Sequence, residues 1–461
     1  MAQAHQPTQV LGVAEINARI DRLPAWGLNP AALIVVGFCY FFAFFDITVM
    51  GVALPNMTGP LHFSSSQSTT PVTANLLAYV AGAYGFGTLA DYLGRRTALR
   101  IVVLILAVGG ILTALSWNLV SFTVFRTLTG LGMGAEITLA ASLLGEFSPS
   151  NGRGRYLSYA TFWGALGLAL PPFFGLGLDQ IAGIGWRLLF AIGGLAIFAL
   201  PFLNDRVLPE SPRWLVLHGR PDRAEAIVTR MEGRASKVSG QTLPPLATVP
   251  PEAPRTSFPL IELLRDYLGR TILVVAFWVA FYLWIYAFLS YEPTLLTKEG
   301  LSLPEGVLYT ALSLIGTVAG FFLQAFVSDR IERKYVIAGG LVIAVIGLAI
   351  IAVASSPAVI VAGGFLVTAG DMCAVLPAYA YTAEIFPTRA RATGMSLGDG
   401  LGHVGGALQP YIIFAILGAA GATAGARLDF WWMAAAAACS LVLMLAGGVK
   451  TNGRELTRLS R

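Results

Sequence analysis

This chain has little charge and almost no cysteine. Asp, Glu, Lys and Arg make up 12% of its 461 residues, against about 25% in a typical soluble domain. With 56% hydrophobic residues and a mean hydropathy of +0.70, the composition excludes an ordinary soluble protein. The three cysteines, Cys39, Cys373 and Cys439, have no metal-ligand spacing and imply no disulfide framework. They read as small packing residues. The first 25 residues have no signal-peptide pattern, because Met1 to Pro24 are mostly polar. The first apolar run is therefore expected to serve as the insertion signal. A phosphate-cradling P-loop, a metal cluster and a Ser/His/Asp arrangement are all lacking. An enzyme and an ATP-driven pump are disfavoured, and no cofactor or metal is expected.

Long apolar runs are what the sequence does have. About 20 apolar residues cross a bilayer, and twelve runs reach that scale: 31–53, 71–91, 98–117, 120–146, 155–178, 186–204, 271–292, 307–328, 334–354, 358–384, 392–417 and 428–448. These divide the chain into a cytoplasmic tail (1–30), a six-helix bundle (31–204), a linker (205–270), a second six-helix bundle (271–448) and a basic tail (449–461). The tail contains a candidate amphipathic helix, Val10 to Arg22. In the linker, Gln241 to Pro259 holds six prolines and reads as an extended strap. Pro221–Met231 and Leu260–Tyr267 flank the strap as short surface helices.

The net charge of +5 and pI near 9.1 do not point to nucleic acid. With this topology, 26 of the 30 Lys and Arg fall on one side of the membrane, the exceptions being Arg126, Arg187, Lys298 and Arg427. Positive charge marks the cytoplasmic side, so both termini and the linker are expected there, in the plasma (inner) membrane.

The two halves share a register. Asp91-Tyr92-Leu93-Gly94-Arg95-Arg96 corresponds to Asp329-Arg330-Ile331-Glu332-Arg333-Lys334, 238 residues on. Glu146 then matches Glu384, Pro149 matches Pro387, Arg153 matches Arg391, Pro55 matches Pro293, and Pro172 matches Pro410. Parallel repeats of this kind are a standard architecture of secondary transporters. The run beginning Gly87-Thr88-Leu89-Ala90-Asp91 suits a tight cytoplasmic turn, with Gly94 free to take a positive φ and Asp91 able to pair with arginines.

That run resembles the GxLaDrxGRR element of the major facilitator superfamily, with Tyr92 in place of its usual basic residue. The second copy keeps Arg330 but replaces the turn glycine with Glu332. Arg126-Thr-Leu-Thr-Gly130-Leu-Gly132-Met-Gly134 resembles a second element, RxxxGxGxG. Pro209-Glu210-Ser211-Pro212-Arg213-Trp214-Leu215 and the paired E-x-x-P…R runs look like the sugar-porter and organic-ion branches. The resemblance implies an all-α membrane protein: twelve transmembrane helices in two pseudo-symmetric six-helix bundles. It also implies conformational gating by Gly87, Asp91, Gly94, Arg95, Arg96, Asp329, Arg330, Arg333, Lys334, Glu146, Arg153, Glu384, Arg391, Glu210 and Arg213. The sugar-porter hallmarks are weak, because Phe277 to Tyr291 has no QQxxGxN run and no tryptophan follows Pro377. The run Tyr379-Ala-Tyr381-Thr382-Ala-Glu384 looks more like proton-linked carriers of aromatic acids and nicotinate. Phe44-Phe45-Asp46 is similar to their DxxD region, with one Asp kept.

Ionisable residues within a membrane span are functional candidates by default. Asp46 is a candidate proton carrier, the plainer alternative being a structural partner for Arg126. Arg126 is a candidate for bidentate binding of a substrate carboxylate, or it hydrogen-bonds carbonyls of a broken helix. Glu136 lies about 80° around the same helix and faces either the cavity or the bundle interior. Asp371 sits in the middle of the tenth span. Asp399 and His403 are one turn apart and share a helix face, which makes them a candidate proton relay or a stabilising contact in a glycine-rich helix. The stripe Gly394, Gly398, Gly402 and Gly406 reads as a packing surface. Tyr282, Trp284, Tyr286 and Tyr379 are candidates to line a site for a planar substrate near the midplane.

The expected function is proton-coupled uptake of a small organic acid or aromatic metabolite by alternating access. The partners would be the substrate, protons and the bilayer, without nucleic acid, and the protein would act as a monomer. The alternatives are a sugar or polyol porter and a membrane sensor of the same fold that does not transport.

Overall fold

The computed structural model is helical throughout and describes residues 12–150, 152–178, 181, 183–246, 259–328, 330–386 and 391–450. The N-terminal half runs α1 (Val13–Asp21), α2 (Ala31–Met57), α3 (Thr69–Leu93), α4 (Arg95–Ala114), α5 (Leu119–Phe147), α6 (Arg153–Ala169), α7 (Pro171–Leu178) and α8 (Gly185–Gly193). The linker contributes α9 (Pro212–Leu217), α10 (Pro221–Ser239) and α11 (Pro259–Asp266). The C-terminal half runs α12 (Leu268–Lys298), α13 (Leu303–Val327), α14 (Arg333–Val353), α15 (Pro357–Glu384), α16 (Arg391–Met395), α17 (Leu401–Ala420) and α18 (Ala422–Gly447).

Among the described residues, eleven helical segments are long and apolar enough to cross a membrane, where the sequence suggested twelve. The segment that falls short is α3, which carries Thr69, Thr70, Thr73 and Asn75 in its outer part. Two of these polar groups bond to neighbouring helices. Asn75 Nδ2 donates to the Arg126 carbonyl at 2.7 Å, and Thr73 Oγ1 donates to the Ala407 carbonyl at 2.7 Å.

Three spans are irregular for local reasons. α6 stops at Ala169 because Pro171 and Pro172 follow, and prolines supply no backbone N–H. α8 continues as a 3₁₀ segment, Gly194–Phe202, that contains Pro201. Between α16 and α17 the helix widens into a π turn, Ser396–Gly400. Such turns concentrate at functional sites, and this one carries Asp399.

Glycines set the helix spacing in both halves. A Cβ at Gly82 of α3 would collide with the Leu131 carbonyl of α5, and one at Gly320 of α13 would collide with the Ala369 carbonyl of α15. These two contacts are repeat mates. Along α17, side chains at Gly402 and Gly406 would run into Trp278, Tyr282 and Tyr286 of α12, so the glycine stripe is a packing surface.

The buried apolar residues form two clusters. One runs from the outer part of the N half, including Phe45, Val49, Leu76 and Trp186, into the C half, including Trp278, Phe288, Leu341 and Phe430. The other holds the inner part of the N half together with Ile16 and Ile20 of α1 and Ile227 and Met231 of α10. The first cluster joins the two halves, whereas the second belongs to the N half with α1 and the linker.

On the inner side, α1 is clamped to α10. Arg19 reaches Glu232 at 2.7 Å and also bonds Glu225, and Arg22 reaches Glu232 at 2.6 Å. Burial acts to raise the Glu232 carboxyl, but the hydrogen bonds and charges of Arg19 and Arg22 outweigh it and hold the group below the usual carboxylate range. α10 runs on to Ser239, well past the Met231 end expected from sequence. Residues 247–258 of the proline-rich strap lie outside the described residues.

Candidate functional site

A cavity of about 70 Å³ lies between the halves, lined by residues of α2, α3, α5, α6, α12, α15 and α17. Phe44 and Ile47 of α2, Tyr79 of α3, and Tyr282 and Tyr286 of α12 line it, and Asp371 and Tyr379 of α15 face them. An engineered protein cavity of about 150 Å³ binds benzene. At 70 Å³, this cavity admits an aromatic ring only if side chains move aside.

Its polar edge is a network. Asp399 Oδ1 accepts from Tyr282 Oη at 2.5 Å and from Tyr379 Oη at 2.9 Å, and the two phenols lie 2.8 Å apart. His403 Nδ1 lies 2.7 Å from the Asp399 backbone carbonyl, which can only accept, so that nitrogen carries the hydrogen. Nε2, 3.0 Å from Tyr286 Oη, is then free to accept in the neutral ring. The His403 ring stacks on Tyr79 of the other half at 3.8 Å. The expected carboxylate–imidazole relay thus takes another form. The Asp399 carboxylate is 3.9 Å from Nδ1 and is held by two tyrosines instead.

Asp46 and Arg126 form a separate buried pair in the N half, at 2.7 Å. Asp46 Oδ2 has no partner among the described residues. The Arg126 guanidinium lies over the Phe190 ring, 5.4 Å from its centroid. Arg126 borders a small void of about 20 Å³ that Tyr286 and Ser290 also line. The pair therefore sits behind the Tyr286 wall of the main cavity.

The other intramembrane candidates separate. Asp371 lines the cavity, and its Oδ1 has no partner among the described residues. Glu136 does not line it. It is fully buried in α5, facing the Cys39 thiol, with neither carboxylate oxygen hydrogen-bonded among the described residues. Trp284 is likewise buried away from the cavity. Positions 282 and 286 share a helix face, and 284 projects about 200° from 282. Tyr79 is a lining residue that the sequence reading did not single out. Glu292 and Asp429 were also passed over, being buried acids near span ends without partners among the described residues. An acid next to a span-ending proline, as in Glu292-Pro293, was the signal available for Glu292.

The inner-side candidates form latches within each half. Arg95 pairs with Asp91 at 2.8 Å and approaches Glu146 at 3.6 Å. Arg96 pairs with Asp205 at 2.6 Å, and its backbone N–H donates to Glu210 Oε1 at 3.0 Å. Gly94 has φ of 98°, and a Cβ there would collide with the Glu210 carboxylate. Gly87 faces open space. Arg153 reaches Asp21 of α1 at 2.7 Å, not Glu146. In the C half, Arg333 grips Glu384 at 2.6 and 2.9 Å. Lys334 Nζ donates to the Gly448 carbonyl at 2.7 Å, and Arg330 lies over the Phe326 ring at 3.9 Å. Arg213 is half-buried at the start of α9. Asp329 and the side chain of Arg391 lie outside the described residues.

The sequence model of one family, described as sugar (and other) transporter, matches residues 32–461. The niacin transporter NiaP of Acinetobacter baylyi is 26% identical over 446 residues, covering 96% of this chain and 99% of that protein. The 4-hydroxybenzoate transporter PcaK of Pseudomonas aeruginosa is 28% identical over 417 residues, covering 88% and 90%. Among solved structures, the proton:xylose symporter XylE of the major facilitator superfamily superposes with a TM-score of 0.72. It is 19% identical, with 93% of this chain and 98% of that one covered. At that identity the likeness establishes the fold.

Proposed function

Given that the chain belongs to the sugar (and other) transporter family within the major facilitator fold, we propose that it imports a small aromatic or heteroaromatic acid together with a proton. A secondary transporter of metabolites, not an enzyme, is what the family membership itself establishes. The observation that carries the finer reading is the cavity wall. Tyr79, Tyr282, Tyr286, Tyr379 and Phe44 surround a space shared by both halves, where flat rings stack well. NiaP and PcaK, both similar over most of their length, are named for aromatic acids.

The buried pair supplies the coupling. Asp46 holds Arg126 at 2.7 Å. When Asp46 takes up a proton the pair loses its charge attraction, and the guanidinium becomes available to a substrate carboxylate as a bidentate partner. The two halves then rock about the cavity. Opening of the inner side breaks the Arg95 and Arg333 latches, and closing restores them. The distribution of Lys and Arg supports an inner-membrane location with both termini cytoplasmic. Each chain holds both halves of the cavity, which supports a functional monomer.

Proteoliposomes with an imposed inward proton gradient should accumulate labelled 4-hydroxybenzoate or nicotinate more than xylose. Asp46→Asn should abolish that accumulation while sparing exchange of internal for external substrate. Accumulation of the sugar alone would favour the porter reading, and binding without accumulation would favour a sensor. Gradient-driven uptake unchanged in Asp46→Asn would remove Asp46 from the mechanism.

A further inference from the structure

The outer end of α12 holds a second buried acid that the coupling scheme above does not use. Glu292 is 1% exposed. The hydroxyls of Thr310 and Ser313 on α13 face it. Neither carboxylate oxygen and neither hydroxyl is hydrogen-bonded among the described residues. Room for the carboxyl comes from Gly364 of α15, where a Cβ would collide with Ser313 Oγ and come within 3.2 Å of Glu292 Oε1.

The repeat gives this niche its meaning. At the 238-residue offset, Gly364 is the mate of Arg126 and Ser313 is the mate of Asn75. The N half fills the position with a guanidinium paired to Asp46. The C half leaves out the guanidinium and turns an acid into the space. A buried carboxylate without a cation is costly, whereas a carboxylic acid can donate to one hydroxyl and accept from another.

The same stretch of α12 forms the outer seal between the halves. Ser68 Oγ and Tyr291 Oη lie 3.2 Å apart. A Cβ at Gly51 of α2 would collide with the Leu289 carbonyl and lie 3.1 Å from that of Ser290. The residue after Tyr291 is Glu292, so one turn of helix seals the outer interface on one side and holds the acid on the other.

We propose that Glu292, with Thr310 and Ser313, is a proton-binding site that controls the outer gate. With the proton on, the carboxyl bonds to the two hydroxyls and α12 stays seated against α2. With the proton off, the buried anion has no cation to pair with, and the outer end of α12 moves to admit water. The groups facing Glu292 are Thr310 and Ser313 from α13 and the bare backbone of Gly364 from α15. Tyr291 on its own helix is engaged by Ser68, Glu299 at the end of that helix lies within charge range of Arg427, and Asp429 of α18 is a further buried acid whose carboxylate has no partner among the described residues. The proposal goes beyond the Asp46 reading and does not depend on it.

The test needs no substrate. Spin labels at Gly59→Cys and Ala422→Cys sit on exposed outer positions of the two halves. The background is Cys439→Ser, since Cys39 and Cys373 are buried. In purified protein in nanodiscs, the label distance should be short at pH 6 and lengthen by pH 9, while E292Q stays short at both. Asp429→Asn should keep the wild-type response. T310A/S313A should move the midpoint by about one pH unit, a tenfold change in proton affinity. This pair decides the matter if E292Q fails to run as a monodisperse species. The proposal is overturned by a wild-type distance that ignores pH, by E292Q following the wild type, by an unmoved midpoint in T310A/S313A, or by loss of the response in Asp429→Asn. A response to sodium in place of protons also overturns it. Failure of gradient-driven uptake in proteoliposomes would sink the transport reading and leave these distances unaffected.

Discussion

The two halves of this chain carry the same latch in different strengths. Arg95 and Arg333 are repeat mates, as are Glu146 and Glu384. In the C half the pair closes fully, with Arg333 contacting Glu384 at 2.6 and 2.9 Å. In the N half Arg95 turns to Asp91 at 2.8 Å and leaves Glu146 at 3.6 Å. The interior departs further, since Arg126 has Gly364 as its mate. Duplication has preserved helix spacing at the Gly82 and Gly320 crossings and the Arg–Glu pairing, while the turn residue changes from Gly94 to Glu332. It has let the buried polar groups diverge, so the two sides of the cavity present different polar surroundings.

The strongest test of the shared frame is steric. Gly82→Leu and Gly320→Leu push side chains into the Leu131 and Ala369 carbonyls at repeat-related crossings. Both should cost about 3 kcal/mol or more, at or above the usual range for overpacking. Thermal unfolding of purified protein should show comparable losses, and a loss in one variant alone would break the equivalence of the halves. The latches come next. Arg333→Gln should lower the unfolding temperature by an amount corresponding to roughly 1 kcal/mol, the upper range for a partly exposed ion pair. Arg95→Gln should cost less, about 0.3–0.5 kcal/mol, because its better contact is an i,i+4 pair. Equal losses would mean that Arg95 and Glu146 bind more tightly than 3.6 Å implies.

The smallest effect concerns what only the N half carries, the clamp of α1 on α10. Glu232 is held below its ordinary range in the folded protein, so its contribution is present above the unfolded carboxyl pKa, about 4.3. It is lost as pH falls through the lower folded value. Proteolysis at Arg19 and Arg22 should accelerate in that acid window and not above it. E232Q should show faster cleavage at neutral pH with little change in global unfolding. A clamp that survives acid unchanged would show that Ile16 and Ile20 hold α1 without help from charge.

Several polar residues of the cavity wall were legible in the sequence, for a definite reason. Tyr282 and Tyr286 are four apart on one helix and share a face, and Asp371 and Tyr379, eight apart on another, fall within one stripe about 80° wide. The same periodicity excludes Trp284, which shares their depth near the midplane but projects from another face. Tyr79 was beyond reach because its part depends on α3 meeting α17 across the interface, where it stacks on His403. Glu292 went unread because it lies at the end of an apolar run, where an acid reads as a boundary. Only the approach of α13 and α15 encloses it.

The sequence alone determined the membrane-spanning class, the duplication and the identity of the scarce buried charges. These follow from composition, spacing and the cost of charge in lipid, which are local or additive properties. The tertiary structure decided how those charges are partnered. Asp46 is bound to Arg126 across 80 residues, Asp399 to tyrosines of two other helices, and Glu292 to no cation among the described residues. Pairing depends on which helix faces meet and how closely their glycines let them approach, and no local property of the chain fixes that.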